Sequence, residues 1–243
     1  MKDRERITSV NVLHRCTADH LAPGLWAGIP LLSEMLEWMD KTGRPIDRGV
    51  LTTRPEWSHF LRENVRQVGH GVYAVRYLSE DYCAALLRHL RLFTYEVNHL
   101  EPEDAQIPEV TLSDNDEAAY EALRGLWEGY MHLLVGVLFH VESGECQSIQ
   151  AAKYTPVNTP HGCWHLDDDS EITLVVALSN DHKGGGTEVY NGPFSFTTTV
   201  PQLPVGWGML FNGRSRLHMG LPVTEGTRNL LVHWYSQSKD EQE

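Results

Sequence analysis

Residues 165–190 read HLDDDSEITLVVALSNDHKGGGTEVY. An apolar run of strand length, 172–178, is followed by turn-forming residues, and a second run follows the three glycines at 187–190. Similar short apolar runs recur on both sides, at 149–154, 194–199, 208–211 and 229–235. Many short strands separated by Gly, Pro and Asn are typical of a sandwich or barrel. The pattern therefore predicts a jelly-roll (cupin-like) double-stranded β-helix over about residues 147–237.

The first part of the chain has the apolar spacing of helices. Residues recur at helical spacing at Leu31, Leu32, Met35, Leu36 and Met39. Gly43 follows as a stop signal, and Pro55 begins a second helix at a favoured first-turn position. We expect residues 1–68 to form a helical N-terminal extension and residues 69–243 to form one domain, in which helices back the β core. The fold class predicted is therefore α+β.

Within the second domain, two helix starts carry capping signals. Ser79 precedes Glu80 and Asp81 after a strand-like run at 72–78, so we expect it to cap a helix. Ser113 with Asp116 has the spacing of a capping box before a long helix that reaches Val137.

Three potential metal ligands stand out in the β half. On an extended segment, His165 and Asp167 point to the same face, and we expect Leu166 to turn into the sheet. His218 lies between an apolar strand, 208–211, and a turn at 220–222. Two histidines and one carboxylate form the ligand set that holds non-haem Fe(II) with positions open for oxygen. We therefore expect His165, Asp167 and His218 to bind one metal ion.

Arg228 begins the run RNLLVHW, in which alternation places it on the same face as Leu230, Val232 and Trp234. A charge on an inward face must be paired, because an unpaired buried charge is costly. A bidentate bond to the carboxylate of a bound ligand would satisfy it. An internal aspartate or glutamate is the alternative partner.

Composition narrows the function classes. The chain has 243 residues and a formal net charge of −13, which disfavours binding to nucleic acid or to anionic membranes. No run has the length of a membrane span. The four cysteines are scattered without paired spacing, and the charged N-terminus lacks a signal-peptide core. We expect a cytoplasmic protein.

At these residues the sequence resembles the Fe(II)- and 2-oxoglutarate-dependent dioxygenases, in the prolyl/lysyl hydroxylase branch and most closely the procollagen lysyl hydroxylase catalytic domain. The matching segments are YTPVNTPHGCWHLDDDSEITLVVALSN, KGGGTEVY, PVGWGMLF and HMGLPVTEGTRNLLVHW. The resemblance covers roughly residues 70–237. It implies Fe(II), 2-oxoglutarate and O2 as cofactors, and it allows ascorbate as an additional one.

The resemblance also assigns roles by position. It implies that His165, Asp167 and His218 ligate Fe(II) and that Arg228 binds the distal carboxylate of 2-oxoglutarate. Tyr154 matches a tyrosine that contacts the cosubstrate, and Trp234 matches an aromatic residue near the metal pocket. Ala177 falls where the family often supplies a second hydrogen bond to that carboxylate. Alanine cannot supply it, so the bond is absent or comes from elsewhere.

The predicted function is hydroxylation of an unactivated C–H bond, since the ligand at position 167 is Asp and not the Ala or Gly of related halogenases. Asp168, Asp169 and Glu171 suggest a cationic substrate, a basic amino acid that is free or part of a peptide. Two other classes stay open: a non-catalytic jelly-roll module that binds metal or ligand, and a zinc-dependent hydrolase with Asp168 or Asp169 as its base. The oligomeric state also stays open, a homodimer included.

Overall fold

A computed structural model describes residues 13–99, 103, 106–157 and 161–237 of the chain. Its main feature is a set of three antiparallel sheets, of seven, three and two strands, within these residues. The strands are β1 (Val65–Gly69), β2 (Val72–Arg76), β3 (Glu109–Thr111), β4 (Ser143–Tyr154), β5 (Ile172–Ala177), β6 (Lys183–Gly184), β7 (Thr187–Val189), β8 (Thr198–Val200), β9 (Trp207–Phe211), β10 (His218–Gly220), β11 (Val223–Glu225) and β12 (Arg228–Gln237).

The predicted double-stranded β-helix is confirmed. The major sheet has the order β1-β2-β9-β5-β12-β4-β3, and the minor sheet has the order β10-β7-β8, with β11 paired to β6 beside them. Two small apolar clusters join the major sheet to the shorter strands. The first consists of Val72, Val189, Val200, Met209 and Phe211. The second consists of Ala152, Tyr154, Val223, Leu230 and Val232. Strands β1, β2 and β3 come from outside the predicted core of 147–237, so the major sheet is larger than predicted.

Seven α-helices lie within the described residues. They are α1 (Leu25–Thr42), α2 (Arg48–Thr53), α3 (Pro55–Asn64), α4 (Glu80–Leu90), α5 (Leu112–Asn115), α6 (Glu117–Leu126) and α7 (His132–Phe139). As predicted, α1 ends at Gly43, whose φ of 62° is left-handed, and α3 begins at Pro55. Among the helices described, none has both the length and the apolar character needed to cross a membrane.

The capping predictions met different outcomes. The Ser79 hydroxyl accepts a hydrogen bond of 3.2 Å from the Tyr82 amide, as expected of the cap of α4. The prediction for Ser113 was wrong, because this residue lies inside the short helix α5. Asp116 caps α6 instead, accepting a hydrogen bond of 3.1 Å from the Ala119 amide. The predicted long helix continues from α6 to α7 through one π-helical segment, Trp127–Met131.

The helices cover the face of the major sheet that points away from the minor sheet. Leu32 and Trp57 from the N-terminal helices belong to the same buried cluster as Leu174, Leu210 and Leu231 of the sheet. The predicted helical extension thus contains three helices between Leu25 and Asn64, and it shares a core with the β half. The division at residue 68 stays a prediction, and β1 begins just before it, at Val65. Residues 1–12 and 238–243, at the ends of the two predicted domains, lie outside the described residues.

Candidate metal and cosubstrate site

The three predicted metal ligands meet at the rim of the two sheets. Their donor atoms all lie within 4.8 Å of one another. Asp167 Oδ1 is 3.6 Å from His165 Nε2, and Asp167 Oδ2 is 3.9 Å from His218 Nε2. The side chains of Asp167 and His218 are 8% and 7% exposed, whereas that of His165 is 40% exposed. The donor set therefore fits a metal ion, with its open side towards His165.

The main chain fixes both histidines. His165 and His218 form an isolated antiparallel β-bridge, and His218 belongs to β10 of the minor sheet. Each ring directs Nδ1 at a carbonyl oxygen two residues earlier, His165 at Cys163 (2.9 Å) and His218 at Arg216 (2.8 Å). Because a carbonyl can only accept, Nδ1 carries the proton on each ring. Nε2 is then left with a free lone pair facing Asp167, the form that a metal ligand needs.

The surroundings of His218 also disfavour its protonated form. Burial lowers the pKa of His218 below its usual range, and the neighbouring His165 lowers it further against the opposing attraction of Asp167. The ring packs edge-on against Phe211, with 4.7 Å between centroids.

Asp167 is positioned by two residues that the sequence did not reveal. The hydroxyl of Thr173 donates a hydrogen bond of 2.6 Å to Asp167 Oδ2. The amide of Asp167 donates to the carbonyl of Gly213 at 3.1 Å. A side chain at Gly213 would overlap the Thr173 hydroxyl and come within 2.6 Å of the Ser170 carbonyl oxygen. Glycine at this position therefore permits the close approach of the Asp167 turn to the loop after β9.

Arg228 is buried at the start of β12, 4% exposed, and it faces the interior as predicted. In the described part of the chain, no aspartate or glutamate pairs with it. Its Nε donates a hydrogen bond of 3.2 Å to Gln202 Oε1, and its guanidinium carbon lies 5.4 Å from the centre of the Tyr154 ring. The alternative of an internal acidic partner is therefore excluded for these residues. A buried cation with only neutral neighbours is a site prepared for an anion.

Tyr154 lies between Arg228 and the metal ligands. It is directly opposite Arg228 in the register of β4 and β12. Its hydroxyl end approaches Gly162 and Gly220, which flank the bridge between the two histidines. Burial raises the pKa of Tyr154, and Arg228 opposes this shift while Asp167 adds to it. Tyr154 therefore reaches from the arginine towards the segments that carry the two histidines.

A small, partly open cleft lies next to Arg228, with a cavity volume of about 10 Å3. Its polar lining consists of Arg228, Gln202 and Thr187, and the remaining residues are Val175, Ala177, Val200, Pro201, Leu203, Met209 and Leu230. Ala177 lies in this lining, where it offers no hydrogen bond. Thr187 and Gln202 offer the polar groups that Ala177 lacks. Neither was predicted, because each reaches the cleft from a different strand or loop and no local pattern marks it.

The glycine triplet makes room for the arginine. Gly184, Gly185 and Gly186 have φ values of 76°, 77° and 99°, which L side chains rarely adopt. A side chain at Gly185 would lie 3.1 Å from Cδ of Arg228, and one at Gly186 would lie 2.6 Å from the Val200 carbonyl oxygen. The triplet therefore lets the β6–β7 connection pass close to the Arg228 side chain.

Two sequence-based expectations differ from this geometry. Leu166 does not turn into the sheet but is 40% exposed, because only His165 of this segment pairs with a strand. Trp234 shares the face of Arg228 but lies six residues further along β12, about 20 Å at the usual rise per residue. It packs against the cluster of Ala152 and Val232 and does not line the cleft. Its role in cofactor binding stays a prediction.

No family model matches the chain. Among curated proteins, the multifunctional procollagen lysine hydroxylase and glycosyltransferase of Caenorhabditis elegans is 34% identical over 92 residues, covering 36% of this chain and 12% of that protein. Its human counterpart LH3 is 24% identical over 232 residues, covering 90% of this chain and 29% of that protein. The chain thus spans less than a third of the length of these relatives.

Solved structures show the same fold. A prolyl hydroxylase from Trichoplax adhaerens, in complex with a hypoxia inducible factor peptide fragment, has a TM-score of 0.55 at 13% identity, covering 87% of this chain and 91% of that chain. The viral collagen prolyl hydroxylase of Paramecium Bursaria Chlorella virus-1, in its 2OG complex, has a TM-score of 0.51 at 18% identity, covering 70% and 98%. The resemblance seen in the sequence is therefore confirmed in the fold, and the chain has the double-stranded β-helix of the 2-oxoglutarate–Fe(II) oxygenases.

Proposed function

We propose that the protein is an Fe(II)- and 2-oxoglutarate-dependent dioxygenase that hydroxylates an unactivated C–H bond. In this proposal His165, Asp167 and His218 hold Fe(II), and Arg228 binds the distal carboxylate of 2-oxoglutarate. When bound, iron and 2-oxoglutarate supply the means to activate O2 for hydroxylation. The observation that carries the proposal is the buried Arg228, which has no acidic partner among the described residues and is paired with Tyr154, whose hydroxyl end approaches the segments that carry His165 and His218.

The residues of the chain have the following proposed roles. Thr173 and the two carbonyl groups of Cys163 and Arg216 hold the ligands in their metal-binding orientation. Tyr154 closes the space between the metal and Arg228. Thr187 provides the second hydrogen bond to the distal carboxylate, because it is a hydroxyl in the lining of the cleft at Arg228. The apolar remainder of the lining excludes water and strengthens the charged interaction.

The two other function classes are less well supported. A zinc hydrolase needs a general base next to the ligands, but Asp168 and Asp169 are exposed on the turn after Asp167. Glu171 Oε1 accepts a hydrogen bond from the side-chain amide of Asn212. A non-catalytic metal-binding module has no need for an acid-free arginine beside the site. Both readings predict that 2-oxoglutarate has no effect.

For the substrate, we propose a basic residue within a peptide. Asp168 and Asp169 are exposed beside His165, the open side of the metal site. Trp164 and Leu166 flank His165 and are 41% and 40% exposed, so apolar surface borders the acidic turn. Such a rim suits an extended chain that carries a cation. The peptide in the Trichoplax adhaerens complex supports a peptide over a free amino acid.

We also propose a cytoplasmic setting, because Cys16, Cys83 and Cys146 form no disulfide.

The test is to add Fe(II) and then 2-oxoglutarate to metal-free protein without oxygen and to record the visible spectrum. We expect a charge-transfer band of the chelated cosubstrate in the wild type. The band should also appear in His161→Ala, which removes an exposed histidine outside the proposed set of metal ligands. His218→Ala should lose the band. If the wild type bound metal but gave no band with 2-oxoglutarate, the proposed function would be wrong.

A further inference from the structure

A second group of metal-type donors lies in the helical part of the molecule. His14 precedes the short 3-10 helix Ala18–His20, His89 is in the last turn of α4, and Asp116 caps α6. Three separate segments thus bring two imidazoles and one carboxylate together, with one donor atom of each within 4.8 Å of the others. The side chains of His14, His89 and Asp116 are 23%, 12% and 9% exposed.

Both histidines lie within hydrogen-bond distance of the same carboxylate oxygen of Asp116. Asp116 Oδ2 is 3.1 Å from Nε2 of His14 and 2.5 Å from Nε2 of His89. The other oxygen, Oδ1, accepts the capping hydrogen bond from the Ala119 amide. The capping bond therefore fixes the carboxylate and directs Oδ2 at the two rings.

The spacing is close to that of a metal centre. Zinc lies about 2.0–2.2 Å from imidazole and carboxylate donors, so tetrahedral ligand atoms are about 3.3 Å apart. The His14–Asp116 pair already has nearly this spacing. The His89–Asp116 pair would open by about 0.8 Å, a small rotation of one ring. Imidazole and carboxylate together suit zinc and its neighbours cobalt and nickel.

We propose that His14, His89 and Asp116 bind one divalent ion of the zinc class, separate from the proposed Fe(II) site. The ion fastens residues 13–21 to the helices. That segment already contacts α4, because the Tyr82 hydroxyl donates to the Leu13 carbonyl at 3.5 Å and the His20 ring stacks on Tyr82 at 4.1 Å. A metal bridge from His14 to Asp116 adds a strong link where these contacts are weak, and its role is structural.

The test uses the double variant His165→Ala/His218→Ala, in which the proposed Fe(II) site is absent. Metal-free protein is titrated with Co(II), bound metal is counted after dialysis, and thermal unfolding is recorded with and without Zn(II). We expect two equivalents in the wild type and one in the double variant. Adding His14→Gln and His89→Gln should remove the last equivalent. Adding His59→Gln, an exposed histidine of α3, should leave it bound.

Zn(II) should raise the unfolding temperature of the double variant by several degrees and have no effect once His14 and His89 are replaced. Asp116→Asn keeps a side-chain oxygen for the helix cap and should weaken Co(II) binding at least tenfold. This variant tests the proposal even if the histidine variants do not fold. An equivalent that survives the loss of His14 and His89 would overturn the proposal, as would a double variant that binds none. A wild type whose single equivalent survives the loss of His165 and His218 would count against the Fe(II) site instead.

Discussion

The main chains of His165 and His218 hold each other through two reciprocal hydrogen bonds, 2.9 Å from the His165 amide to the His218 carbonyl and 3.0 Å in the opposite direction. Two of the three proposed metal ligands are therefore placed by backbone pairing and not by the ion. Asp167 is placed by its own contacts with Thr173 and Gly213. The site is preorganised, so changes in the residues that support it should alter metal affinity more than they alter the fold.

Thr173→Val removes the hydroxyl that donates to Asp167 Oδ2 while keeping the shape of the side chain. Loss of such an outer contact typically costs 10- to 100-fold in metal affinity, and we expect a value of about this size for Fe(II). The measurement is an anaerobic Fe(II) titration. Thr199→Val, at an exposed position of β8, should bind Fe(II) like the wild type. An unchanged affinity in Thr173→Val would mean that this hydrogen bond does not orient the ligand.

Gly213→Ala should disturb the same carboxylate from the other side. The new methyl group would overlap the Thr173 hydroxyl and come within 2.9 Å of Cβ of Asp167, so the turn must move. We expect weaker Fe(II) binding and a lower unfolding temperature. Gly129→Ala is the control, because no atom lies within 4 Å of the added group. Equal behaviour of the two variants would contradict the close packing of the turn.

Arg228→Met should separate activity from stability. Two charge-assisted hydrogen bonds to a carboxylate contribute about 3 kcal/mol, so the KM for 2-oxoglutarate should rise about 100-fold. The free energy of unfolding of the metal-free protein should stay the same or rise, because a buried charge without an acidic partner is removed. Chemical denaturation and turnover assays measure the two effects. Arg62→Met, at an exposed position of α3, should change neither. A large loss of stability in Arg228→Met would show that the arginine is a structural residue.

Asp168→Asn/Asp169→Asn tests the cationic substrate. Two exposed charges contribute about 1 kcal/mol together, so the KM for a lysine-containing peptide should rise about fivefold while kcat is kept. The difference from the wild type should shrink in high salt. Asp40→Asn/Asp114→Asn makes the same change in net charge at distant exposed positions and should have no effect. An unchanged KM for the lysine-containing peptide would contradict the proposal that Asp168 and Asp169 bind its cationic group.

His233 should make the fold sensitive to acid. It is fully buried, stacked on Trp127 with 5.9 Å between ring centres, and burial lowers its pKa to about 3. His233 is protonated below about pH 6.5 in the unfolded chain but only below about pH 3 in the folded chain. Stability is therefore full above pH 6.5 and falls as the pH drops from 6.5 towards 3.

His233→Phe should remove this loss. Between pH 7 and pH 5 the wild type should lose about 2 kcal/mol more free energy of unfolding than the variant does. Urea denaturation at the two pH values gives the comparison. The same pH dependence in both proteins would mean that the imidazole is protonated or solvated in the folded state.

The clustering of His165, Asp167 and His218 and the burial of Arg228 could be predicted because their signals are local. His165 and Asp167 lie two residues apart, and Arg228 opens an alternating run. Residues that act across strands could not be predicted in this way. Thr173 looks like an ordinary strand residue, and only the turn between it and Asp167 brings its hydroxyl to the carboxylate. Thr187 lies in β7 and Gln202 in the loop after β8, and only the folded arrangement of the sheets brings both to the cleft beside Arg228.

Local signals also gave two errors. Leu166 was expected to point inward because the segment was read as a regular strand, whereas pairing there is limited to His165. Ser113 and Asp116 both suit a helix start, and the residue that caps depends on where the preceding short helix, α5, ends. In each case a pattern of a few residues was compatible with two backbone paths, and tertiary contacts selected one.

Strand β12 has two interior faces. Arg228, Leu230 and Val232 point into the cavity between the sheets, and Leu231, His233 and Tyr235 point under the helices. A slip of β12 by one residue against β4 or β5 would exchange these two sets at once. It would place the arginine beneath the helices and the aromatic residues in the cleft. Neither set would then have the packing partners that it has in the native register. Misregistered molecules are therefore eliminated by instability, and every molecule that packs its helices also carries its arginine in the cleft.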